Sequence, residues 1–125
     1  MILDLNGFKQ VNDKYGHDVG DQLLRQIAVR FQRATSDSLL ARLGGDEFGV
    51  IVYGPKQIGE EVAAALKSTL TYPFRLQSGE VSVGVAIGIA RTDGNIRSAE
   101  DLLRQADGAM YRAKRENLGL VERGK

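Results

Sequence analysis

The sequence predicts an α+β fold in which helices pack on a mostly antiparallel central sheet, as in a ferredoxin-like sandwich. Short apolar runs alternate along the 125 residues with longer segments whose apolar residues recur at helical spacing. Residues 81–90 alternate strictly between Val or Ile and Ser, Gly or Ala, which is the period of a strand. A pair of glycines between two apolar runs indicates a hairpin. These patterns predict a single domain over residues 1–125.

The first third of the chain predicts a strand followed by two helices. Residues 1–5 are a short apolar run that ends in polar, glycine-containing sequence, which indicates a buried strand. Residues 8–15 fit a short helix that stops at Gly16. Residues 19–33 carry apolar side chains at three- and four-residue spacing, which predicts an amphipathic helix with Asp18 as its N-cap.

The middle of the chain predicts a hairpin, a helix and a pair of strands. Residues 39–43 and 48–53 are apolar runs on either side of a tip at residues 44–47, whose glycines are expected to take positive φ. Apolar spacing over residues 58–70 predicts a second amphipathic helix, which ends before Pro73. A strand pair is expected to follow.

The last third predicts a buried strand, a capped helix and an edge strand. The branched face of residues 81–90 is expected to enter a core, while the small face with Gly84 and Gly88 would admit a close helix or a ligand; close packing is the preferred interpretation. Ser98 opens a capping-box pattern, and residues 118–121 suit an edge strand. The predicted buried face of the last helix consists of Ala99, Leu102, Leu103, Ala106, Met110 and Ala113.

Composition excludes several classes of protein. The 17 Lys and Arg residues nearly balance the 16 Asp and Glu residues, so the net charge of +1 does not favour a nucleic acid or a membrane surface as the main partner. The absence of cysteine removes disulfides and thiol chemistry, and suits the cytoplasm. No apolar run approaches the roughly 20 residues needed to cross a bilayer, and no signal-like segment begins the chain.

Three carboxylates suggest a cation site. Asp4 ends the first strand and Asp46 and Glu47 occupy the hairpin tip, so a sheet that pairs these elements would bring them together. Two carboxylates about 4 Å apart repel by about 4 kcal/mol at an effective dielectric of 20. A divalent ion such as Mg²⁺ relieves this repulsion and bridges acids to the phosphates of a nucleotide. Taken alone, the same tip is more often an ordinary turn with solvated acids.

Other polar side chains could recognise a nucleotide. Asn12, His17 and Asp21 suit guanine, because its N1 and N2 hydrogens donate to a carboxylate and its O6 accepts from an amide. Lys9 and Lys114 could contact phosphates. Each residue also has an ordinary interpretation as a cap, a solvated side chain or a cation at a helix C-terminus. The P-loop, the Gly-x-Gly-x-x-Gly fingerprint, the Gly-x-Ser-x-Gly elbow and zinc-ligand clusters are all missing.

Five motifs, in order, span nearly the whole chain. They are residues 4–13 (DLNGFKQVND), 16–21 (GHDVGD), 41–48 (ARLGGDEF), 83–90 (VGVAIGIA) and 106–114 (ADGAMYRAK). Together they resemble the GGDEF-domain diguanylate cyclases. The resemblance implies an adenylyl-cyclase-like fold and an enzyme that joins two GTP molecules into cyclic di-GMP, with release of pyrophosphate and with Mg²⁺ or Mn²⁺ as the cofactor.

The resemblance also implies roles for individual residues. Asp4, the Leu5 carbonyl and Asp46 would hold the metal with support from Glu47, and Asp46 would accept the proton of the attacking 3′-hydroxyl. A second set would bind the substrate: Asn12, His17 and Asp21 at the guanine and ribose, Lys9 at the transferring phosphoryl group, and Lys114 at a phosphate. Because each domain of this family holds one GTP, catalysis would require a homodimer.

The sequence departs from the family pattern at several positions. Asn6 replaces a frequent second Asp, and Leu118 replaces a phosphate-binding Arg. Thr35 and Ser38 stand where the product-inhibition motif has Arg and Asp, so feedback by that route is predicted to be absent. The chain opens on its first strand, without the helical segment that usually precedes it, which suggests a piece of a longer protein.

Two other functions remain as alternatives. Residues 72–76 and 110–116 resemble members fused to a cyclic di-GMP phosphodiesterase domain, so the domain could be a GTP-binding regulator with little or no activity. Fused sensory domains are a further expectation. The element order alone also permits an interaction or RNA-binding module, but residues 81–90 lack the aromatic side chains on which RNA bases stack.

Overall fold

A computed structural model describes residues 1–92 and 98–116, together with the strand Leu120–Glu122. The elements are β1 (Ile2–Asn6), α1 (Phe8–Tyr15), α2 (His17–Ala34), β2 (Leu39–Gly44), β3 (Glu47–Ile51), α3 (Lys56–Thr69), β4 (Phe74–Leu76), β5 (Gly79–Val81), β6 (Gly84–Ile89), α4 (Ala99–Arg115) and β7 (Leu120–Glu122). The predicted α+β fold is confirmed. None of the helices in the described ranges is long and apolar enough to cross a membrane.

The central sheet has five strands in the order β2-β3-β1-β6-β7, so β1 lies in the middle. It is antiparallel except where β6 pairs with β7 in parallel. The predicted edge strand is therefore confirmed as β7, although residues 118 and 119 of the predicted range lie outside the described residues. The strands β4 and β5 form a separate hairpin, which confirms the expected strand pair.

Alternate residues of β1 enter two different cores. Leu3 and Leu5 are buried with Phe31 and Phe48 on the side covered by α2 and α3, where the two aromatic rings meet edge to face at 5.2 Å. Ile2 instead joins a smaller cluster with residues of β6 and α4. Asp4 alternates with Leu3 and Leu5, and the strand period therefore directs this carboxylate toward α4.

The small face of β6 packs directly against α4. A Cβ atom at Gly88 would stand 2.1 Å from the Met110 nitrogen and 2.2 Å from the Ala106 carbonyl oxygen. The preferred interpretation of this face, close helix packing, is thus confirmed. The predicted continuous strand over residues 81–90 is wrong, because β5 pairs with β4 while β6 pairs with β1. The alternation persists across the break because Val81, Val83 and Val85 all pack into the same core.

The four predicted helices are present, while the predicted N-cap of α2 and one predicted buried residue of α4 are wrong. Asp18 is not the N-cap of α2, because the helix begins at His17 directly after Gly16, whose φ of 93° also ends α1. Leu103 is 52% exposed, because the buried residues of α4 begin only at Ala106 and its first turns extend past the contact with β6. The Ser98 hydroxyl oxygen accepts from the Asp101 backbone N–H at 3.1 Å, as predicted.

Arg30 fixes the segment between α3 and β4. Its guanidinium donates to the carbonyls of Thr69 at 2.7 Å, Tyr72 at 2.7 Å and Pro73 at 3.0 Å. It also lies 3.6 Å from the centroid of the buried Phe74 ring. Backbone carbonyls of this segment and the Phe74 ring therefore have a structural role in the described fold.

Replacement of Gly88 by Ala tests the close contact between β6 and α4. Because the new methyl group would overlap backbone atoms of α4, we expect the free energy of unfolding to fall by about 1–3 kcal/mol or more. Gly108→Ala, on α4, is the matched control. An added Cβ there meets nothing within 4 Å, so this substitution should stabilise the protein by about 0.5–1 kcal/mol. Urea unfolding measures both, and equal stabilities for the two variants would contradict the packing described above.

Candidate active site

The hairpin tip is held against the central strand. Asp4 on β1 lies directly opposite Glu47 on β3 in the sheet register, and the Leu5 N–H donates to the Asp46 carbonyl oxygen at 3.1 Å. Gly44 and Gly45 take φ values of 154° and 48°, so both have the predicted positive φ. Register and turn together bring the three predicted carboxylates to one end of β1.

The carboxylates at the tip hold their protons more tightly than usual. The pKa of Asp46 is raised, first by burial and then by the charge of Asp4 and a hydrogen bond to it. The pKa of Glu47 is raised, again first by burial, then by Asp107, Asp4 and Asp46. Lys114 acts in the opposite direction on both groups. Burial and neighbouring carboxylates therefore outweigh the effect of Lys114 on both groups.

Lys114 contacts Asp4. Its Nζ atom lies 2.6 Å from Asp4 Oδ2, and the Asp4 side chain is only 17% exposed. Asp4 Oδ1 is buried and has no hydrogen-bond partner among the residues that the structure describes. The sequence assigned these two residues to different ligands, a phosphate and a metal, and did not foresee that they would pair with each other. The pairing follows from α4, which packs on the same side of β1 that Asp4 faces.

These residues fit a hard divalent cation. Within the described ranges, Asp4 Oδ1 is an unpartnered carboxylate oxygen beside a second carboxylate at Asp46. Mg²⁺ prefers oxygen ligands and commonly binds to only one or two protein carboxylates. Among the described residues no group of three or more His, Cys, Asp or Glu side chains is arranged as a metal site. A metal here would therefore need the backbone carbonyl, water or phosphate as further ligands, as the predicted set with Leu5 already implies.

The three predicted guanine contacts lie around the joint between α1 and α2. Asn12 is on α1, while His17 begins α2 and Asp21 follows one turn later. Both side chains on α2 belong to exposed residues, as does Lys9 on α1. Because α1 begins two residues after β1 ends, the joint between α1 and α2 comes soon after the strand that carries Asp4.

Gly20 shapes this corner and was not recognised from the sequence as a site residue. A Cβ atom at Gly20 would stand 1.7 Å from Asn12 Oδ1. Only glycine therefore lets the Asn12 amide lie against the first turns of α2. The signal was present in the spacing of glycines within residues 16–21, but spacing alone does not say which side chain a glycine accommodates. Asp107, which raises the pKa of Glu47, was also missed as a neighbour of the site.

The structure shows the surroundings of three of the four positions that depart from the family pattern. Thr35 is buried, and its hydroxyl donates to the Phe31 carbonyl oxygen at 2.7 Å. The Ser38 N–H donates to the Thr35 carbonyl oxygen at 2.8 Å. Asn6 ends β1 opposite Gly84, and Leu118 lies outside the described residues. Thr35 thus serves the end of α2 and presents no charge to a ligand.

A comparison with protein families identifies the domain. The family described as diguanylate cyclase, GGDEF domain, matches residues 1–118. The chain belongs to the GGDEF family. In solved structures, the GGDEF domain of Pseudomonas aeruginosa TpbB, also called YfiN, superposes with a TM-score of 0.91 at 35% identity, over 99% of this chain and 80% of that one. This neighbour confirms the adenylyl-cyclase-like fold of the GGDEF domain.

Relatives of this GGDEF domain are longer signalling proteins. It is 37% identical over 116 residues to MucR of Pseudomonas aeruginosa, a bifunctional diguanylate cyclase and cyclic di-GMP phosphodiesterase, with 91% of this chain and 17% of MucR covered. It is 40% identical over 121 residues to the cyclic di-GMP phosphodiesterase PdeR of Escherichia coli, with 95% and 18% covered. The chain therefore spans less than a fifth of the length of these relatives.

Asp46→Asn tests the electrostatic strain at the hairpin tip. A raised pKa means that the folded protein binds this proton more tightly than the unfolded chain does. The stabilisation that comes from binding this proton is fully present below the pKa that the carboxyl group has in the unfolded chain. It is lost as the pH rises through the higher pKa of the folded protein. At neutral pH in EDTA, the variant should therefore melt a few degrees higher than the parent.

The difference should shrink as the pH falls toward ordinary carboxyl values, where Asp46 is protonated. Thermal unfolding between acid and neutral pH measures it. The control is Glu61→Gln, which neutralises an exposed carboxylate on α3 and should change the melting temperature little. A lower melting temperature for Asp46→Asn than for the parent at neutral pH would contradict the described electrostatics.

Proposed function

We propose that this domain is a diguanylate cyclase, which condenses two GTP molecules into cyclic di-GMP and releases two pyrophosphates. The observation that carries the proposal is the convergence of Asp4, Asp46 and Glu47 where the hairpin tip meets β1. The burial and mutual repulsion of these carboxylates suit a divalent cation and a triphosphate. Membership of the GGDEF family supplies the identity of the reaction.

The metal would be held by Asp4, the Leu5 carbonyl and Asp46, with Glu47 beside them. Mg²⁺ or Mn²⁺ bound there would neutralise the charge of the phosphates during displacement. Asp46 would accept the proton of the attacking 3′-hydroxyl. Lys9 would stabilise the charge on the transferring phosphoryl group, and Lys114 would bind a phosphate.

Recognition of guanine would take place at the joint between α1 and α2. Asp21 would accept from the guanine N1 and N2 hydrogens, while Asn12 and His17 would contact the base and the ribose. The Asn12 amide lies in the space that the absent side chain of Gly20 leaves, beside the first turns of α2. Adenine would leave the Asp21 carboxylate without donors, which favours GTP over ATP.

The reaction would require two copies of the domain. Each chain provides one such set of carboxylates in its described residues, and therefore one nucleotide site. The 3′-hydroxyl of each GTP would attack the α-phosphorus of the other, so that two P–O bonds form, two pyrophosphates leave and two protons are released. Partners fused to the domain in a longer protein, sensory or phosphodiesterase, would control how the two copies meet. The cytoplasm, where GTP is available, would be the site of the reaction.

A second candidate function is a GTP-binding regulator without turnover. It is favoured by Asn6 at the end of β1, where many members carry a second Asp, and by the similarity to PdeR, which is named for phosphodiesterase activity alone. Under this alternative the same site binds GTP and passes the signal to a neighbouring domain. The two functions differ in product formation and not in nucleotide binding.

Enforced dimerisation separates these functions. We expect the domain fused to a parallel leucine zipper to form cyclic di-GMP from GTP and Mg²⁺, and the unfused domain to bind GTP with far less turnover at low concentration. Chromatography of the products measures both. Asp46→Ala in the zipper fusion is the control for chemistry and should reduce the rate by at least about a hundredfold. GTP binding without product by a verified dimer would reject the cyclase and support the regulator.

Asp21→Ala tests the proposed guanine contact. Loss of a charge-assisted hydrogen-bonded pair removes about 1.5–3 kcal/mol, so we expect GTP affinity to fall by about ten- to a hundredfold while ATP affinity changes little. Asp18→Ala is the matched control, because Asp18 is an exposed carboxylate in the first turn of the same helix. Calorimetric titration with both nucleotides measures the selectivity. If Asp18→Ala and Asp21→Ala weaken GTP binding equally, Asp21 is not the guanine contact.

A further inference from the structure

The pair of Lys114 and Asp4 joins the last turn of α4 to the central strand. Lys114 Nζ lies 2.6 Å from Asp4 Oδ2 across 110 residues of sequence. The Asp4 side chain is 17% exposed, whereas that of Lys114 is 42% exposed. The carboxylate is therefore enclosed by the protein, while the lysine reaches it from the solvent side and retains room to move.

The proposed function gives the two residues different ligands. Asp4 would bind the metal, and its buried atom Oδ1 has no hydrogen-bond partner in the described part of the chain. A divalent cation on that carboxylate would stand within a few ångströms of the Lys114 ammonium group, and two cations at such a distance repel strongly in a partly buried site. The pair seen here and a metal on Asp4 therefore oppose each other unless further negative charge arrives.

We propose that Lys114 is the counter-ion of Asp4 in the nucleotide-free domain, and that it exchanges Asp4 for a nucleotide phosphate when the metal binds. The proposal rests on the assignment of Asp4 as a metal ligand in the proposed function. Lys114 thereby opposes binding of the metal alone and favours binding of the metal together with the triphosphate. It is a residue that makes the two binding events depend on each other.

The surroundings of Lys114 favour such an exchange. The backbone of α4 is fixed on β6 by the close contact at Gly88, so only the flexible four-carbon side chain needs to move. The groups that face the ammonium from β1 and the hairpin are the carboxylates of Asp4, Asp46 and Glu47. Without a metal, Lys114 reduces the repulsion among these carboxylates, which stabilises the pair of Lys114 and Asp4 in the nucleotide-free domain.

Titration of the domain with Mn²⁺ alone, followed by electron paramagnetic resonance, tests the exchange. We expect Lys114→Met to bind Mn²⁺ at least about tenfold more tightly than the parent when no nucleotide is present, because the competing cation is gone. Lys114→Arg retains the positive charge and should remain close to the parent. Arg112→Gln is the matched control, since it removes a cation from the same helical turn whose partner is Glu116.

The same variant should have the opposite effect on the nucleotide complex. Lys114→Met should weaken binding of Mn²⁺ with a non-hydrolysable GTP analogue, because the phosphate loses its lysine. A merely structural role would weaken both forms of binding together. Lys114→Gln repeats the experiment should the Met variant fail to fold, as judged by thermal unfolding. Unchanged or weaker binding of Mn²⁺ alone by a folded Lys114 variant would overturn the proposal.

Asp4→Asn separates this proposal from the proposed function. If it abolishes Mn²⁺ binding while Lys114→Met has no effect, the counter-ion proposal fails and the metal assignment stands. If Asp4→Asn leaves Mn²⁺ binding unchanged, Asp4 is not a ligand and the assignment itself fails. The Mn²⁺ titration needs neither GTP nor turnover, so an inactive cyclase would leave its result valid.

Discussion

The repulsion among Asp4, Asp46 and Glu47 is the constraint on which the rest of this site depends. The sheet register fixes Glu47 opposite Asp4, and a backbone hydrogen bond ties Asp46 to Leu5, so the pairing of β1 and β3 keeps the backbones that carry these carboxylates together. Folding therefore maintains an arrangement that its own charges oppose. Such electrostatic strain is typical of functional sites, where a bound ligand relieves the unfavourable interactions that the fold maintains.

The packing of β6 on α4 determines which cation reaches this site. Gly88 lets the helix backbone approach the sheet, and the helix then carries Lys114 to Asp4 on the side of β1 that faces it. A wider separation would leave the lysine in solvent. The backbone contact at Gly88 thus positions the cation of a site whose carboxylates lie on β1 and at the hairpin tip.

The sequence predicted the fold well wherever periodicity and glycine determine the backbone. The mostly antiparallel sheet, the positive φ of Gly44 and Gly45 and the close helix at Gly88 were all predicted from local pattern. The break between β5 and β6 was not, because residues on both sides of it pack into one core and keep the same alternation. The N-cap of α2 and the exposure of Leu103 were also missed, because both depend on where a helix begins relative to the elements that it packs against.

The sequence predicted that Asp4 meets the hairpin tip, but it did not predict the pair of Asp4 with Lys114. Motifs named Asp4 and Lys114 separately, and only the tertiary packing shows that they form a pair. The most direct test of the proposed site is a crystal structure of the dimerised domain with Mn²⁺ and a non-hydrolysable GTP analogue, with Mn²⁺ located by its anomalous scattering. The predicted result is Mn²⁺ bound by Asp4 and Asp46, with Lys114 on a phosphate. Mn²⁺ bound elsewhere, with Lys114 still paired to Asp4, would contradict this account.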